Sequence, residues 1–167
     1  LAFGSLKPLI GNKESEIINQ KQIEMTLDIM ANSLVYWTQD LYKSKLLSKG
    51  SHILAMTSSG NKRQWQSYGA VSATKCALES YIRQLSLELA PMEISCNSIQ
   101  AGGTDTPALR KIPGNIKMIE NAIKNNPSKR LTTTNDIAKF IALLVDYDAH
   151  WMTGNTIRLD GGEDLSG

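Results

Sequence analysis

A tyrosine and a lysine with helical spacing are the residues of this sequence best placed to do chemistry. Tyr68 and Lys75 lie near the start of residues 67–91, a stretch that we predict to be one long helix. Because a helix turns about 100° per residue, a separation of seven residues brings the two side chains back within roughly 20° of each other. A phenol can donate a hydrogen bond to an oxygen that gains negative charge, and a nearby ammonium favours phenolate character. We therefore expect an active site where this helix begins.

The composition is that of an ordinary globular domain. The chain has 167 residues, of which 41% are hydrophobic and 20% are charged, so we expect a single domain with a real core. The formal net charge of +2 is too small to indicate a nucleic-acid partner. No apolar run is long enough to span a membrane, and we expect no signal peptide.

The cysteines and histidines do not indicate a metal site. Cys76 and Cys96 fall inside a predicted helix and a predicted strand, which suits reduced, buried thiols of a cytosolic protein better than a disulfide. His52 and His150 add no clustered ligand spacing. We therefore expect a cytoplasmic protein without a bound metal.

The elements that must position Tyr68 and Lys75 alternate between strands and helices. A short apolar run before the helix is predicted to be a strand buried on both faces, and hence parallel to its neighbours. Alternation of this kind is typical of an α/β fold with a doubly wound parallel sheet. The predicted strands are the end of a strand within residues 1–10, then 51–56, 95–100 and 155–159; the predicted helices are 15–48, 67–91, one or two short ones within 107–127, and 137–145 with Thr134, Asn135 and Asp136 as candidate caps.

One expected feature of a nucleotide-binding sheet is missing from the sequence. Such a domain normally opens with a strand and a glycine-rich turn that holds phosphate. No Gly-x-Gly-x-x-Gly follows any predicted strand, and Ala101–Gly102–Gly103 lacks that spacing. We therefore interpret residues 1–167 as a single domain that is incomplete at its N-terminal side.

Four stretches together carry a resemblance to a known family. Ser58 ends a strand, Tyr68 and Lys75 open the next helix, AGGTDT follows the next strand, and TGNTIRLDGG closes the chain. This pattern resembles the short-chain dehydrogenase/reductase superfamily from its fourth strand to its C-terminus, which implies a Rossmann-like fold. The usual motif of that superfamily is Tyr-x-x-x-Lys, and Val71 occupies its tyrosine position here.

The displaced tyrosine narrows the resemblance. Tyr68 lies about 4.5 Å further from Lys75 along the helix axis than the usual tyrosine does. A separation of six residues between tyrosine and lysine resembles the enoyl-acyl-carrier-protein reductases, and the stretches around it resemble their third, NADPH-dependent type. The resemblance implies reduction of trans-2-enoyl thioesters in fatty-acid synthesis, with NADPH as the cofactor and NADH as the other possibility.

The resemblance also implies roles for particular residues. Tyr68 would stabilise the enolate that forms on the thioester oxygen, and Lys75 would bind the nicotinamide ribose. Ser58 stands where the superfamily has its active-site serine, although a plain strand-end turn accounts for it equally well. The cofactor would contact Gly102 and Thr106, with Thr104 and Asp105 beside them as weaker candidates.

A substrate-binding segment is the next implication. Residues 107–126 resemble a mobile loop and helix that close over an acyl chain. Ile112, Ile116, Met118 and Ile119 either line that channel or serve as ordinary helix packing. The superfamily's helix asparagine falls on Met30, and Asn32 lies two residues further on.

Partners follow from the same resemblance. We expect a substrate linked to acyl carrier protein, and a homo-oligomer, a dimer or tetramer, formed through the helices predicted at 15–48 and 67–91. Three alternatives remain at this point. The chain can be another short-chain reductase, such as a 3-oxoacyl thioester reductase; it can be a non-catalytic fragment without a cofactor turn; or Tyr68 can be a loop aromatic beside a dead site marked by Val71.

Overall fold

Three parallel strands form the sheet of the computed structural model, which describes residues 3–147 and 149–165. In this part of the chain the strands are β1 (His52–Ser58), β2 (Ser95–Ala101) and β3 (Thr156–Leu159), in the order β1-β2-β3. The last residues of all three are in register, since Ser58 pairs with Ala101 and Ala101 pairs with Leu159. Their carboxyl ends therefore meet at one edge of the sheet. The predicted α/β fold with a parallel sheet is confirmed.

The helices in the described residues are five. Helix α3 matches its predicted bounds within two residues at each end. Helix α5 begins directly after its N-cap residue, Thr133. The Thr133 side chain accepts a hydrogen bond from the Asp136 amide, and the Asp136 carboxylate accepts one from the Thr133 amide. The candidate caps 134–136 were therefore placed too late, although Asp136 does take part in the capping. The helices are α1 (Gln20–Leu27), α2 (Ser33–Lys43), α3 (Gly69–Leu89), α4 (Asn115–Asn125) and α5 (Thr134–Asp146).

The single helix predicted at 15–48 is shorter than predicted, since it runs from residue 20 to residue 43, and it is not a regular α-helix throughout. A 3₁₀ turn at Glu14–Glu16 comes first, and a π turn at Asp28–Asn32 separates α1 from α2. Within the π turn the side chains of Met30 and Ala31 are buried. The extra residue of a π turn changes which side chains face the sheet, and such turns often occur beside functional sites.

The core lies between α3, the π turn and the first two strands. Ile82 and Ile94 are almost completely buried there, and Cys96 is fully buried. Cys76 is exposed, so its predicted burial is wrong: it lies on the side of α3 that faces solvent, and both thiols are free. Burial raises the pKa of the Cys96 thiol to about 12, which keeps it protonated and unreactive.

Strand β1 is less buried than predicted. All residues of β2 up to Gln100 are buried, whereas Met56 of β1 is 44% exposed. The reason is position, because β1 lies at the edge of the sheet among the described residues and β2 lies in its centre. The strand end predicted within residues 1–10 is also wrong for residues 3–10, which contain no strand; residues 1 and 2 lie outside the described part. In that part no helix is long and apolar enough to cross a membrane.

Candidate functional site

A cavity of about 780 Å³ opens at the carboxyl ends of the strands. In open parallel sheets this edge is where ligands bind. Its wall combines the ends of β1 and β2, the first turns of α3, and the segment that leads into α4. Six of the predicted site residues line this one cavity, whereas the weaker candidate Asp105 does not: they are Ser58, Tyr68, Lys75, Gly102, Thr104 and Thr106. The structure thus brings together residues that are far apart in the sequence.

Tyr68 is positioned by the turn that starts α3. Ser67 has a left-handed backbone with a φ of 63°, an uncommon conformation for a residue with a side chain, and Tyr68 directly follows as the N-cap. The Tyr68 and Ser58 hydroxyls are hydrogen-bonded to each other. Gly60 makes room for this pair, since a Cβ there would lie 2.7 Å from the Tyr68 ring and 3.2 Å from the Ser58 hydroxyl.

The Tyr68 phenol is a hydrogen-bond donor at neutral pH. Burial raises the pKa of Tyr68 above its ordinary value of 10.0, and the hydrogen bond with Ser58 offsets only part of that rise. Burial thus opposes the phenolate character expected from the sequence. A neutral phenol in an apolar wall is suited to stabilise an oxyanion by donating its proton into a short hydrogen bond.

Lys75 reaches across to the sheet. Its ammonium donates a hydrogen bond of 3.0 Å to the carbonyl oxygen of Met56 in β1. Burial lowers the pKa of Lys75 below its ordinary value of 10.5, and the carboxylate of Glu79 partly restores it. This half-buried cation in the cavity wall is not an ordinary solvated helix lysine.

A buried carboxylate supports the lysine, and sequence reasoning missed it. Glu79 is 8% exposed. It accepts hydrogen bonds of 2.6 Å from the Thr57 hydroxyl and 2.8 Å from the Asn61 amide. Glu79 lies one helical turn after Lys75, and this i,i+4 spacing of opposite charges was the available signal.

The turn after β2 has little space around it. A Cβ on Gly102 would lie 2.5 Å from the Thr132 hydroxyl and 2.8 Å from Oε2 of Glu163, so only glycine fits. The Gly103 carbonyl oxygen accepts a hydrogen bond of 2.9 Å from the Thr132 amide. The backbone of this turn is therefore held in place where it lines the cavity.

The threonines of this turn are engaged in local bonds. The Thr104 hydroxyl donates to the Gly102 carbonyl oxygen at 3.0 Å, and the Thr106 hydroxyl accepts from the Leu109 amide at 3.1 Å. Thr106 therefore keeps its own proton for a ligand. Asp105 is exposed and forms a two-pronged ion pair with Arg110 at 2.8 Å, which lowers the pKa of the Asp105 carboxyl.

The predicted substrate-binding segment contributes part of the wall. Ile112, Met118 and Ile119 line the cavity, as expected for a channel, and Ile112 is only 9% exposed. Ile116 is 71% exposed and does not line it, so its assignment to the channel is wrong; it lies on the outer face of α4. Sequence reasoning missed Trp65. Its indole N–H donates a hydrogen bond of 3.0 Å to the Pro113 carbonyl oxygen and so holds this segment in place.

Met30, on which the superfamily's asparagine falls in the sequence comparison above, lies in the cavity wall. Its sulfur lies 2.8 Å from the point where a Cβ on Gly4 would be. Asn32 does not replace the asparagine, because its side-chain oxygen accepts a hydrogen bond of 2.9 Å from the Tyr81 hydroxyl. Neither side chain offers Lys75 a polar partner.

A family model described as "Enoyl-(Acyl carrier protein) reductase" matches residues 3–163. The chain belongs to this family of short-chain dehydrogenases/reductases. It is 29% identical over 166 residues to the NADH-dependent enoyl-acyl-carrier-protein reductase FabI of Enterococcus faecalis, a match covering 99% of this chain and 65% of that relative. It is also 29% identical over 170 residues to the 3-oxoacyl-acyl-carrier-protein reductase FabG of Buchnera aphidicola, covering 96% of this chain and 67% of that relative.

The solved structures confirm the Rossmann-like fold. The chain superposes with a TM-score of 0.83 on an NADH-dependent enoyl-acyl-carrier-protein reductase from Aquifex aeolicus, at 26% identity, over 90% of this chain and 58% of that one. The chain spans between 43% and 67% of the length of the first curated relatives that it matches.

The residues present suit the nicotinamide end of a dinucleotide cofactor. The turn at Gly102 has no room for a side chain, and Lys75 and the free Thr106 proton offer donors in the same cavity. Across residues 3–147 and 149–165, no cluster of three or more histidines, cysteines or carboxylates is arranged to hold a metal.

Proposed function

We propose that the protein is an enoyl-acyl-carrier-protein reductase that uses NADPH, with NADH as the alternative cofactor. The observation that carries this proposal is the position of the Tyr68 hydroxyl. It lies in the cavity and is hydrogen-bonded to Ser58. The position four residues before Lys75, where the superfamily usually has its tyrosine, is occupied by the apolar Val71. A proton donor is thus available, but not where carbonyl reductases of this superfamily have theirs.

A bound nicotinamide would supply a hydride to the β-carbon of the enoyl thioester, and protonation of the α-carbon would complete the reduction. Tyr68 then donates a hydrogen bond to the thioester oxygen, where the negative charge of the enolate develops. Ser58 holds the phenol in place through its own hydroxyl. Lys75 orients the cofactor ribose with the donors that its bond to Met56 leaves free.

The cavity wall excludes water from the reaction. Apolar side chains of the segment before and within α4, among them Ile112, Met118 and Ile119, lie on one side of the cavity, and Met30 lies at the π turn. An acyl chain placed among these residues would bury its methylene groups at about 0.8 kcal/mol each. The substrate class that fits is therefore a thioester with an acyl chain rather than a small polar carbonyl compound.

The competing proposal is a 3-oxoacyl thioester reductase, which the similarity to the Buchnera enzyme favours. Crotonyl and acetoacetyl thioesters separate the two activities when the loss of NADPH absorbance is followed. We expect oxidation of NADPH with the crotonyl thioester. Reduction of the acetoacetyl thioester alone would reverse the assignment, and binding of neither NADPH nor NADH would favour a non-catalytic role.

We also propose that the protein acts on acyl-carrier-protein thioesters in the cytoplasm and forms homo-oligomers. Helix α2 carries exposed aromatic and aliphatic side chains at Tyr36, Trp37, Leu41 and Tyr42, and such a patch is typical of an association surface. Light scattering should give the mass of a dimer or tetramer. Trp37→Glu should shift it toward the monomer, and a wild type that is monomeric at micromolar concentration would contradict the proposal.

A further inference from the structure

The C-terminal 3₁₀ turn Glu163–Leu165 connects the elements that enclose the cavity. Asp164 forms an ion pair of 2.9 Å with Arg63, in the loop after β1, and accepts a hydrogen bond of 3.1 Å from Gln100 of β2. Its neighbour Glu163 contacts the glycine turn after β2 instead. Oε2 of Glu163 accepts a hydrogen bond of 2.7 Å from the backbone amide of Gly103.

Glu163 and the glycine turn fit closely together. A Cβ on Gly102 would come within 2.8 Å of Oε2 of Glu163, and one on Gly103 within 3.4 Å. Glu163 itself lines the cavity beside Gly102 and Gly103. The carboxylate therefore limits where the turn can lie, and it occupies the Gly103 amide, which is then not a donor for a ligand.

The charges around Glu163 come from the same end of the sheet. Burial raises the pKa of the Glu163 carboxyl first of all, and the Gly103 amide lowers it. Asp160 and Asp164 raise it further, and Arg63 lowers it. Burial and two like charges make a carboxylate at this place costly in free energy. Its hydrogen bond with Gly103 must therefore offset that cost.

We propose that Glu163 is a positioning residue for cofactor binding, which acts by holding the Gly103 amide and so fixing the Gly102–Gly103 turn in its binding conformation. The proposal rests on the proposed function, since it assumes that this turn meets a nicotinamide cofactor. It goes beyond that function because it assigns a role to a side chain 60 residues away from the turn. Cofactor binding then depends on the length of the side chain that brings the acceptor oxygen to the Gly103 amide, and not on its charge.

Two substitutions separate reach from charge. Glu163→Gln keeps an oxygen acceptor at the same distance and removes the charge. Glu163→Asp keeps the charge but is shorter by one methylene group, so it falls short of the Gly103 amide. Glu120→Ala is the matched control, since it removes an exposed carboxylate of α4 that does not line the cavity.

The readout is the dissociation constant of NADPH and of NADH, measured by fluorescence titration of the protein as its gene encodes it. We expect Glu163→Asp to bind about tenfold more weakly, a loss of the size of one hydrogen bond. Glu163→Gln should stay within about threefold of the wild type on the same scale, and Glu120→Ala should be unchanged. Turnover at saturating cofactor should be retained in all three, and melting temperatures will show that the variants are folded.

Each outcome has one meaning. If Glu163→Asp binds like the wild type, or Glu163→Gln loses as much as Glu163→Asp, the positioning role is overturned while the proposed function stands. If one variant does not fold, the other still decides, because each has its own expected dissociation constant relative to the wild type. If the wild type binds neither NADPH nor NADH, the proposed function fails, and this proposal fails with it.

Discussion

The indole of Trp65 donates a hydrogen bond of 3.0 Å to the carbonyl oxygen of Pro113, and its ring lies against Gly114. A Cβ on Gly114 would be 3.4 Å from that ring, and Gly114 has a left-handed backbone with a φ of 77°. This contact joins the loop before α3 to the segment before α4 on one side of the cavity. Trp65 therefore holds this side of the cavity wall in place.

Substitution of Trp65 should weaken acyl binding and spare the cofactor. Trp65→Phe keeps a ring against Gly114 and removes the hydrogen bond, so we expect a rise of about two- to fivefold in KM for a long-chain enoyl thioester. Trp65→Ala removes both contacts and should raise KM by roughly tenfold or more. Steady-state kinetics will measure this, with the dissociation constant of NADPH as the unchanged quantity. Trp151→Phe, at an indole that is 92% exposed, is the control; an unchanged KM in Trp65→Ala would mean that the segment does not form the acyl wall.

Tyr68→Phe should lower turnover and leave cofactor binding nearly intact. The loss of one preorganised donor to an oxyanion costs roughly a hundredfold or more in kcat. Because burial raises the pKa of Tyr68 above 10.0, the wild-type kcat should be flat from neutral pH up to that value and fall only where the phenol ionises. Tyr81→Phe is the matched control, since the Tyr81 hydroxyl bonds to Asn32 away from the cavity. A wild-type kcat in Tyr68→Phe would remove Tyr68 from the mechanism.

The sequence predicted the elements that carry Tyr68 and Lys75 because their signals are local. Helix α3 has continuous helical periodicity, and β2 ends directly before two glycines, so both were found within two residues. The π turn at Asp28–Asn32 has no sequence signature of its own, and the long helix was therefore predicted without its interruption.

The parts of the site that sequence reasoning missed depend on distant partners. Glu163 bonds to Gly103 across 60 residues, and Trp65 bonds to Pro113 across 48. No spacing rule links such pairs, because they meet only after the parallel strands have aligned their carboxyl ends. The paired hydroxyls of Ser58 and Tyr68 lie closer in sequence, and Ser67, directly before Tyr68, has a left-handed backbone.

Glu79→Gln should make the cofactor affinity depend on pH. In the wild type burial lowers the pKa of Lys75 and Glu79 opposes that change, so removing the negative charge should lower the Lys75 pKa further. The ammonium would then be lost at a lower pH, and the dissociation constant of NADPH should rise from that pH upward. Fluorescence titrations between neutral and alkaline pH will measure the shift. Identical pH profiles in both proteins would contradict a role for Glu79 in holding the charge on Lys75.

The same substitution should change stability in a direction fixed by linkage. The Lys75 pKa is lower in the folded protein than its ordinary value of 10.5, so between those two values the unfolded chain binds the extra proton. The free energy of unfolding therefore rises with pH in that window and is flat below it with respect to Lys75. In Glu79→Gln the window should begin at lower pH. The variant should also be less stable by roughly 1–3 kcal/mol at neutral pH, because the glutamine amide meets a donor at Asn61. Urea unfolding at several pH values measures both effects.

Val71→Tyr tests whether the position of the phenol selects the substrate. Val71 is 5% exposed and lines the cavity, and one of its methyl groups lies 3.0 Å from the place of a Cβ on Gly4. A tyrosine there overpacks the site, so we expect a loss of roughly 1–3 kcal/mol in stability. Its hydroxyl would also put a proton donor four residues before Lys75, and we expect the ratio of acetoacetyl to crotonyl thioester reduction to rise. Val71→Phe adds nearly the same volume without the hydroxyl and should show the stability loss alone. If Val71→Phe raised the ratio of acetoacetyl to crotonyl thioester reduction equally, the change would come from cavity shape and not from the position of the phenol.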